Sequence, residues 1–384
     1  MFPKIQHLSD LLPYIESNKQ IRVKPCEVTG HTVVCYMVQD EDTFAGEHEL
    51  FERECRGITF ASDGRILSRT LHKFFNVGER DETLPENIDW TQVVRVMEKR
   101  DGSMVTPVLV NGAIRCKTKK SFETKEAALA DELIYQSNDR YNWVKKLLLD
   151  GFTPTFEVTS PKYPIVVRYE KDELTLLHVR ENITGHYLSD RELQSLSCPF
   201  PIAPNIINEF KSGGLRWPDG GFSFVDWKRF EHAAQTIEGI EGWVVQLASG
   251  EMFKIKTKWY CDLHHSVTFT RWRDVARTVC ADQSDDLKAA FRMVGRDIEP
   301  ILIVERKIKA QIDALRNHVE SLVAYAKVHC PTAKDAALRY SPGGQMSSEH
   351  FGLIMRMYRG QEINWMEYYE KHYLENDWGL EVIA

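Results

Sequence analysis

The sequence predicts an α+β fold, in which antiparallel sheets with interspersed helices are followed by an all-α C-terminal domain. Two patterns in the sequence support this prediction. From about residue 20 to 260, short β-rich runs alternate with Gly, Asn and Asp turns. From about residue 261 onward, apolar residues recur at gaps of three and four, as they do on one face of a helix. We therefore expect one domain over residues 1–260 and a helical domain over residues 261–384.

The composition narrows the class of protein. A chain of 384 residues can form two cores, and its 43% hydrophobic and 27% charged residues are typical of a globular protein. The net charge of −7 argues against a protein that coats nucleic acid non-specifically, so any such contact should be a local basic groove. The eight cysteines form no CxxC pair, and the N-terminus has no apolar signal segment. We expect a cytoplasmic protein with reduced thiols and no membrane segment.

The β-rich part is predicted strand by strand. A first strand covers residues 31–38, and a second covers residues 93–97 and leads into Lys99. Residues 103–110 and 113–119 form a hairpin around Asn111-Gly112, because this pair suits the positive φ angles of a two-residue turn. Residues 243–248 and 251–256 form a second hairpin around Ser249-Gly250. Helices are expected over residues 125–136 and 142–149.

The helical part contains one long amphipathic helix. Its apolar stripe runs from Ile301 to Leu322 at gaps of three and four, and Pro331 ends it. Such a stripe is typical of a core seam rather than of a partner-binding face. Ahead of it, Ser284 is a candidate N-cap, followed by Asp285 and Asp286 at the positive end of the helix dipole.

Lys99 is the candidate nucleophile. It opens the motif Lys99-Arg100-Asp101-Gly102-Ser103, directly after a strand. A lysine here could attack a nucleotide phosphate and hold it as a phosphoramidate, provided that its amine loses a proton. With an ordinary pKa near 10.4, only about one amine in a thousand is neutral near pH 7.4, a deficit of roughly 4 kcal/mol. Neighbouring cations or a metal ion must offset this deficit.

Candidate partners of Lys99 lie elsewhere in the chain. Lys254 and Lys256 alternate on a strand, as do Lys117 and Lys119, so each pair should share one face. A two-residue turn in the second hairpin would bring Glu241 to the face of Lys254 and Lys256. Each lysine pair could equally be an exposed polar face. Glu241, and Glu157 in a likely buried strand, could each form an ordinary ion pair.

The motifs as a set resemble a known family. Their order is that of the covalent nucleotidyltransferases, which include ATP-dependent ligases and mRNA capping enzymes. In detail they are similar to the bacteriophage RNA ligase 1 family, whose members repair tRNA. The segments that carry this resemblance are Glu54-Cys55-Arg56-Gly57, Lys73-Phe74-Phe75-Asn76, Lys99-Arg100-Asp101-Gly102-Ser103, Val179-Arg180-Glu181-Asn182, Phe253-Lys254-Ile255-Lys256 and Ser284-Asp285-Asp286-Leu287-Lys288.

The resemblance implies roles for the matching residues. Lys99 would take AMP from ATP, Arg56 and Lys73 would hold the outgoing pyrophosphate, and Lys254 and Lys256 would clamp the α-phosphate. The residues that would contact the nucleotide are Tyr36, Arg56, Lys73, Lys119, Glu157, Glu241, Lys254, Lys256 and Tyr260. The residues that would hold Mg²⁺, or Mn²⁺, are Glu157, Glu241, Asp285 and Asp286.

The activity implied is ATP-dependent joining of RNA 5′-phosphate and 3′-hydroxyl ends, by a monomer, with tRNA or single-stranded RNA as the partner and the helical domain setting substrate specificity. Two alternatives stay open. The residues alone do not separate ATP from GTP, so a GTP-dependent capping-type enzyme fits as well. An RNA-binding protein that kept the fold without catalysis is disfavoured, because the charged motif residues are all present.

Overall fold

A computed structural model describes residues 2–26, 29–37, 43–44, 46–163, 165–211, 224–262, 272–293, 297–374 and 378. The chain divides into two compact units. The first comprises Met1–Val267 and Lys288–Arg296, and the second comprises Thr268–Leu287 and Asp297–Ala384. The first unit contains three four-stranded sheets and the second is helical, so the α+β class predicted from the sequence is confirmed.

The first sheet has the order β1-β2-β3-β4, with neighbouring strands antiparallel. Its strands are Ile21–Pro25, Thr32–Tyr36, Arg56–Phe60 and Ile66–Ser68. Apolar side chains such as Val34, Ile58 and Phe60 are fully buried beneath it. This core leaves Arg56, the first residue of β3, half-buried at the end of the strand.

The second sheet has the order β10-β9-β7-β8 and is also antiparallel. Its strands are β7 (Ser103–Val110), β8 (Ala113–Lys117), β9 (Phe152–Thr159) and β10 (Glu173–Glu181). The helices α3 (Lys125–Tyr135) and α4 (Asn138–Leu149) supply apolar side chains to the same core as this sheet. Thr124 and Ser137 cap them through side-chain oxygens that accept backbone N–H groups.

The third sheet has the order β5-β12-β11-β6. Its strands are β5 (Phe75–Asn76), β6 (Val93–Lys99), β11 (Gly242–Leu247) and β12 (Met252–Lys256). Strands β6, β11 and β12 are antiparallel, whereas β5 pairs with β12 in parallel. The predicted strand that leads into Lys99 is therefore present, and it extends through Lys99 itself.

The remaining helices of the first unit are short: α1 (Leu12–Ile15), α2 (Glu49–Glu52), α5 (Asp190–Ser195), α6 (Ile207–Phe210), α7 (Trp227–Thr236) and α8 (258–262). The helices that follow are α9 (Trp272–Cys280), α10 (Ser284–Met293), α11 (Glu299–His329), α12 (Ala333–Tyr340), α13 (Phe351–Tyr358) and α14 (Trp365–His372). The predicted stripe on α11 is buried from Ile301 to Val319, but its last predicted member, Leu322, is half-buried and the buried position is Val323. Within the described part of the chain, no helix is long and apolar enough to cross a bilayer.

Both predicted hairpins form, with differences that affect the site. Asn111 and Gly112 have φ angles of 50° and 81°, as the predicted turn requires. However, β8 ends at Lys117, so Lys119 lies two residues beyond the strand and the predicted common face with Lys117 is wrong. In the second hairpin Gln246 pairs with Met252, and the Leu247 N–H donates to the Glu251 carbonyl. The turn therefore has three residues rather than two.

Candidate active site

Lys99 and Lys256 are brought together by the register of the third sheet. Gly242, the first residue of the central strand β11, pairs with Lys99 on β6 and with Lys256 on β12. Its φ angle is +146°, and an added Cβ would lie 2.0 Å from the Ile255 carbonyl oxygen. Glycine is therefore required here, and the two lysines flank a position that has no side chain.

The carboxylate of Glu241 joins these two lysines. Its Oε2 accepts a hydrogen bond from Lys99 Nζ at 2.7 Å, and its Oε1 accepts one from Lys256 Nζ at 3.0 Å. The Glu241 and Lys256 side chains are each 3% exposed, whereas that of Lys99 is 22% exposed. The bridged lysine that a substrate can reach is therefore Lys99.

This contact arises differently from the prediction. With the three-residue turn, the residues opposite Lys254 and Lys256 are Val244 and Gly242. Glu241 precedes the strand, so the alternation rule does not govern its side chain. Its backbone is fixed instead by the Thr257 N–H, which donates to the Glu241 carbonyl at 2.9 Å. The expected proximity of Glu241 to Lys256 is present, but the reason given for it is wrong.

Glu157 is a buried carboxyl group in the same site. It lies on β9 opposite Met104 and Thr175, and its residue is 9% exposed. Burial raises the pKa of Glu157 to about 8, and the negative charge of Glu241 adds to this while the cations Lys99 and Arg56 oppose it. At neutral pH the free protein therefore holds Glu157 mostly protonated. A carboxyl group perturbed in this way is typical of a functional site.

The Asp101-Gly102 turn after Lys99 is held by three other segments. Asp101 Oδ1 accepts from the Tyr260 hydroxyl at 2.8 Å, and Oδ2 accepts from the N–H groups of Val166 and Val167 at 2.8 and 2.7 Å. An added Cβ at Gly102 would lie 2.4 Å from a backbone oxygen of β9. The backbone that follows Lys99 is thus held by hydrogen bonds to Asp101 and by the close packing of Gly102 against β9.

A second set of cations, which we call the cation group, comprises Arg56, Lys73, Lys119 and Lys254. Arg56 and Lys254 lie over the same Phe74 ring, at 5.1 and 5.8 Å from its centroid. Arg56 also donates to the His72 carbonyl at 3.2 Å. Because Arg56 also acts electrostatically on Glu157, the cation group adjoins the lysine pair.

Lys119 lies at the other end of the cation group. Its Nζ is 4.0 Å from the centroid of the Tyr36 ring. Burial holds the pKa of Lys119 well below its ordinary value, and the cations Lys120, Arg56 and Lys73 lower it further. Buried Lys73 lies over the Phe75 ring at 4.9 Å. Tyr36 thus faces a predicted nucleotide-binding lysine, whereas Tyr260 contacts Asp101 and lies 5.0 Å from Lys256 Nζ.

Two of the predicted metal ligands belong to the first unit and two to the second. Glu157 and Glu241 belong to the site around Lys99. Asp285 and Asp286 lie in the first turn of α10, in the second unit, and Asp285 is buried. Among the described residues, no group of three or more His, Cys, Asp or Glu side chains is placed to hold a metal ion directly. Two carboxyl groups suit Mg²⁺ that keeps most of its waters, which is how that ion usually binds.

Two further residues of the site make contacts that the sequence did not predict. Lys117 is fully buried, its Nζ donates to the Gly57 carbonyl at 2.5 Å, and burial lowers its pKa to about 8. It fixes the backbone beside Arg56, and its pairing with Lys119 in the sequence had suggested a different placement. Tyr169 accepts the Asp101 N–H at 2.9 Å, and no motif in the sequence indicates this contact.

Comparisons with known proteins identify the family of the chain. A family model described as RNA ligase matches residues 54–260, which is more than half of the 384 residues. A relative from Thermovibrio ammonificans, provisionally named an RNA ligase, is 33% identical over 68% of this chain and 65% of its own length. RNA ligase 1 of bacteriophage TS2126 is 32% identical over 60% of this chain and 55% of its own length.

The chain thus spans less than two thirds of each of these relatives. A solved archaeal ATP-dependent RNA ligase is similar with a TM-score of 0.45 and 13% identity, over 82% of this chain and 79% of that one. From the family match, this chain belongs to the RNA ligase family. The resemblance inferred from its motifs is confirmed.

Proposed function

We propose that the protein is an ATP-dependent RNA ligase that joins a 5′-phosphate to a 3′-hydroxyl through a Lys99–AMP intermediate. The observation that carries the proposal is the bridge from Glu241 to both Lys99 and Lys256. It combines an accessible amine with a buried cation at one carboxylate, which is the arrangement needed to bind a nucleotide phosphate next to a nucleophile.

In the first step Lys99 Nζ attacks the α-phosphorus of ATP. The new P–N bond forms as the bond to the β-phosphate oxygen breaks, and pyrophosphate leaves. Lys254 and Lys256 stabilise the charge on the α-phosphate, and Arg56 and Lys73 hold the pyrophosphate. Before the attack, the Lys99 ammonium gives up its hydrogen bond to Glu241 and loses a proton to water, which reaches this partly exposed side chain and leaves a lone pair on Nζ. The surrounding cations favour this loss of a proton.

The nucleotide is proposed to bind between the two sets of cations. Lys119, Tyr36 and Tyr260 would complete its contacts together with Glu157 and Glu241. These two glutamates would hold a hydrated Mg²⁺ or Mn²⁺, which would supply positive charge at the phosphates and help to keep the attacking amine neutral. Asp285 and Asp286 are proposed as accessory metal ligands.

The remaining two steps transfer and then release AMP. An oxygen of the RNA 5′-phosphate attacks the phosphorus bound to Lys99, so that the amine leaves and a 5′–5′ pyrophosphate forms on the RNA. The 3′-hydroxyl of the other end then loses its proton and attacks the RNA phosphorus, and AMP leaves. The same phosphate clamp serves each step, because every step passes through a phosphorus centre with developing negative charge.

Labelling tests the proposal. We expect α-labelled ATP with Mg²⁺ to give an acid-labile protein adduct that is lost in Lys99→Arg, which keeps the charge beside Glu241 but cannot serve as the nucleophile. Lys146→Ala, an exposed lysine on α4, should retain the adduct. Label from GTP alone would favour the capping-type enzyme, and no label from either nucleotide would favour the RNA-binding protein.

The helical domain, residues 261–384, is proposed to contact the RNA. Its support is a set of side chains that we call the α11–α12 patch: Tyr325, His329 and Arg339. The rings of Tyr325 and His329 lie 4.1 Å apart, and the Arg339 guanidinium is 5.2 Å from the Tyr325 ring. Tyr325 is 40% exposed, so part of this aromatic group is accessible to a nucleic-acid base.

The natural substrate is proposed to be a broken tRNA, with the protein acting as a monomer in the cytoplasm. A tRNA-like loop with one break and an unstructured strand of equal length would separate this substrate from a general one. We expect faster joining of the broken loop, and equal rates would contradict the tRNA preference without affecting the proposed chemistry. A single-chain mass in sedimentation is expected for the free protein.

A further inference from the structure

A buried ionic cluster includes two residues that are close in sequence to Arg56 and Lys73 of the cation group. It consists of Glu54, Arg69 and Arg180, and we call it the Glu54 cluster. Arg69 Nε donates to Glu54 Oε2 at 2.9 Å, and Arg180 donates to both carboxylate oxygens at 2.8 Å. All three side chains are at most 1% exposed. Burial alone would raise the pKa of Glu54, but Arg180 and Arg69 hold it at about 2.

The two guanidinium groups bind distant backbone segments. Arg180 donates to the carbonyls of Thr70 and Gly185, both at 2.7 Å. Arg69 donates to the carbonyls of Asn182 and Pro3 at 3.2 and 2.8 Å. An added Cβ at Gly185 would lie 2.7 Å from Arg69 Cζ, so this turn needs a glycine to let the guanidinium pass. The cluster therefore connects the first sheet to the second.

The segments that the cluster binds are those that carry Arg56 and Lys73. Glu54 precedes Arg56 by two residues. Thr70, whose carbonyl receives Arg180, donates its hydroxyl to the Arg56 carbonyl at 3.0 Å. The Lys73 N–H donates to the Arg53 carbonyl at 2.7 Å. The Arg56 backbone is thus connected to Glu54 through Thr70 and Arg180. The Lys73 backbone is bonded to Arg53, the neighbour of Glu54.

The cluster is a costly way to stabilise a fold. A buried ion pair contributes little net stability, because desolvation offsets most of the attraction, and apolar side chains of similar volume often serve as well. Arginine forks do, however, set geometry through several directed hydrogen bonds at once. What the Glu54 cluster provides beyond apolar packing is orientation of the segments around it.

We propose that the Glu54 cluster is a positioning device for Arg56 and Lys73, and that it acts selectively on the step in which pyrophosphate leaves. This inference rests on the proposed function. Adenylylation requires both cations to meet the leaving pyrophosphate, whereas the joining of RNA that is already adenylylated involves no pyrophosphate. A fault in the cluster should therefore slow the first reaction more than the last.

The test compares two reactions in one preparation of Arg180→Lys, a variant that keeps the charge but loses the fork. The first is formation of the Lys99–AMP adduct from ATP, together with its discharge by added pyrophosphate. The second is joining of chemically pre-adenylylated RNA. Because both rates come from the same sample, their ratio does not depend on the fraction of protein that folds.

We expect adduct formation to fall roughly 10- to 100-fold in Arg180→Lys, which is the scale of a misplacement near 1 Å. Discharge should require correspondingly more pyrophosphate, and joining of pre-adenylylated RNA should stay within about twofold of the wild type. Glu54→Gln should show the same selective loss. Arg95→Lys is the matched control, because Arg95 is also buried and paired, with Asp190 at 3.0 Å. Its ratio of the two rates should equal that of the wild type.

Equal losses in both reactions of Arg180→Lys would reduce the cluster to a structural role and overturn the inference. An unchanged ratio at full activity, or a selective loss of joining, would overturn it as well. The same two reactions of the wild-type protein distinguish a failure of this inference from a failure of the proposed function. If it forms no adduct and joins no pre-adenylylated RNA, the proposed function fails, whereas the cluster is tested only in a protein that does both.

Discussion

Replacing Glu157 by Gln should make the free protein more stable at alkaline pH while slowing formation of the nucleotide adduct. Glu157 is buried among Lys99, Arg56, Glu241 and Asp101, and burial raises its pKa from 4.5 to about 8. The folded state therefore holds a proton that the unfolded chain has already released at neutral pH. The amide of Gln imitates the protonated carboxyl group and never ionises.

The sign and size of the effect follow from proton linkage. Below pH 4.5 the Glu157 carboxyl is protonated in both states, and its contribution to stability is fully present. As the pH rises from 4.5 to 8, the unfolded state alone loses the proton, so the free energy of unfolding falls by about 1.4 kcal/mol per pH unit. The total is about 5 kcal/mol, reached near pH 8. In Glu157→Gln this loss is absent.

Chemical denaturation at pH values from 5 to 9, without nucleotide or metal, measures the difference. We expect the stability of Glu157→Gln relative to the wild type to increase steadily up to pH 8 and then to level off. Thr155→Val, a buried change two residues earlier on the same face of β9, should show a difference that does not vary with pH. A flat difference for Glu157→Gln would refute the assignment of a buried, protonated carboxyl group. In the labelling assay this variant should be slower by about 100-fold.

Three further predictions concern the turn, the clamp and the RNA. Gly102→Ala should lower the midpoint of thermal unfolding by several degrees and abolish labelling, because the added methyl would lie 2.4 Å from a backbone oxygen; an unchanged midpoint would contradict the close approach. Lys256→Met should slow adduct formation by about 10²- to 10³-fold, the scale of one lost transition-state contact, whereas exposed Lys258→Met should not; similar rates in both would remove the clamp. Tyr325→Ala and Arg339→Ala should each weaken RNA binding in a filter assay by about tenfold without changing adduct formation, and a loss confined to adduct formation would contradict the α11–α12 patch.

Local signals predicted much of the fold. The strand leading into Lys99, the Asn111-Gly112 turn and the long helix from Glu299 to His329 all follow from alternation, turn chemistry and a repeat of three and four residues. Each of these features is determined by residues close together in the chain. Helix ends were less exact: α4 begins at Asn138 rather than at residue 142, because Ser137 caps it.

The site was predicted as a set of residues but not as a geometry. The turn between β11 and β12 was taken to have two residues, and a register error of one residue moves every side chain to the other face. Glu241, which contacts Lys256, lies just before β11 and next to Gly242, whose φ angle of +146° no alternation pattern reveals. Lys119, likewise, reaches Tyr36 from a loop rather than from a strand.

Contacts between distant segments gave no sequence signal at all. Glu54 meets Arg180, which lies 126 positions further along the chain, and Asp101 meets Tyr260, 159 positions away. Hydrophobic periodicity says which face of an element is buried, but it does not say which charged residue meets which. Only the packing of the sheets in three dimensions decides these pairs.

In the free protein, the site around Lys99 has an excess of basic over acidic side chains. With Glu157 protonated at neutral pH, the basic side chains Arg56, Lys73, Lys99, Lys254 and Lys256 outnumber the remaining acidic side chains of the site, Glu241 and Asp101. A triphosphate entering this site would be attracted by the excess of positive charge, and a divalent cation arriving with it would favour ionisation of Glu157. Glu241 would help to hold that cation, and the Lys99 ammonium, left with a weaker carboxylate partner, would lose its proton to water more readily. Binding of the substrate with its cation would in this way favour the neutral amine that attacks.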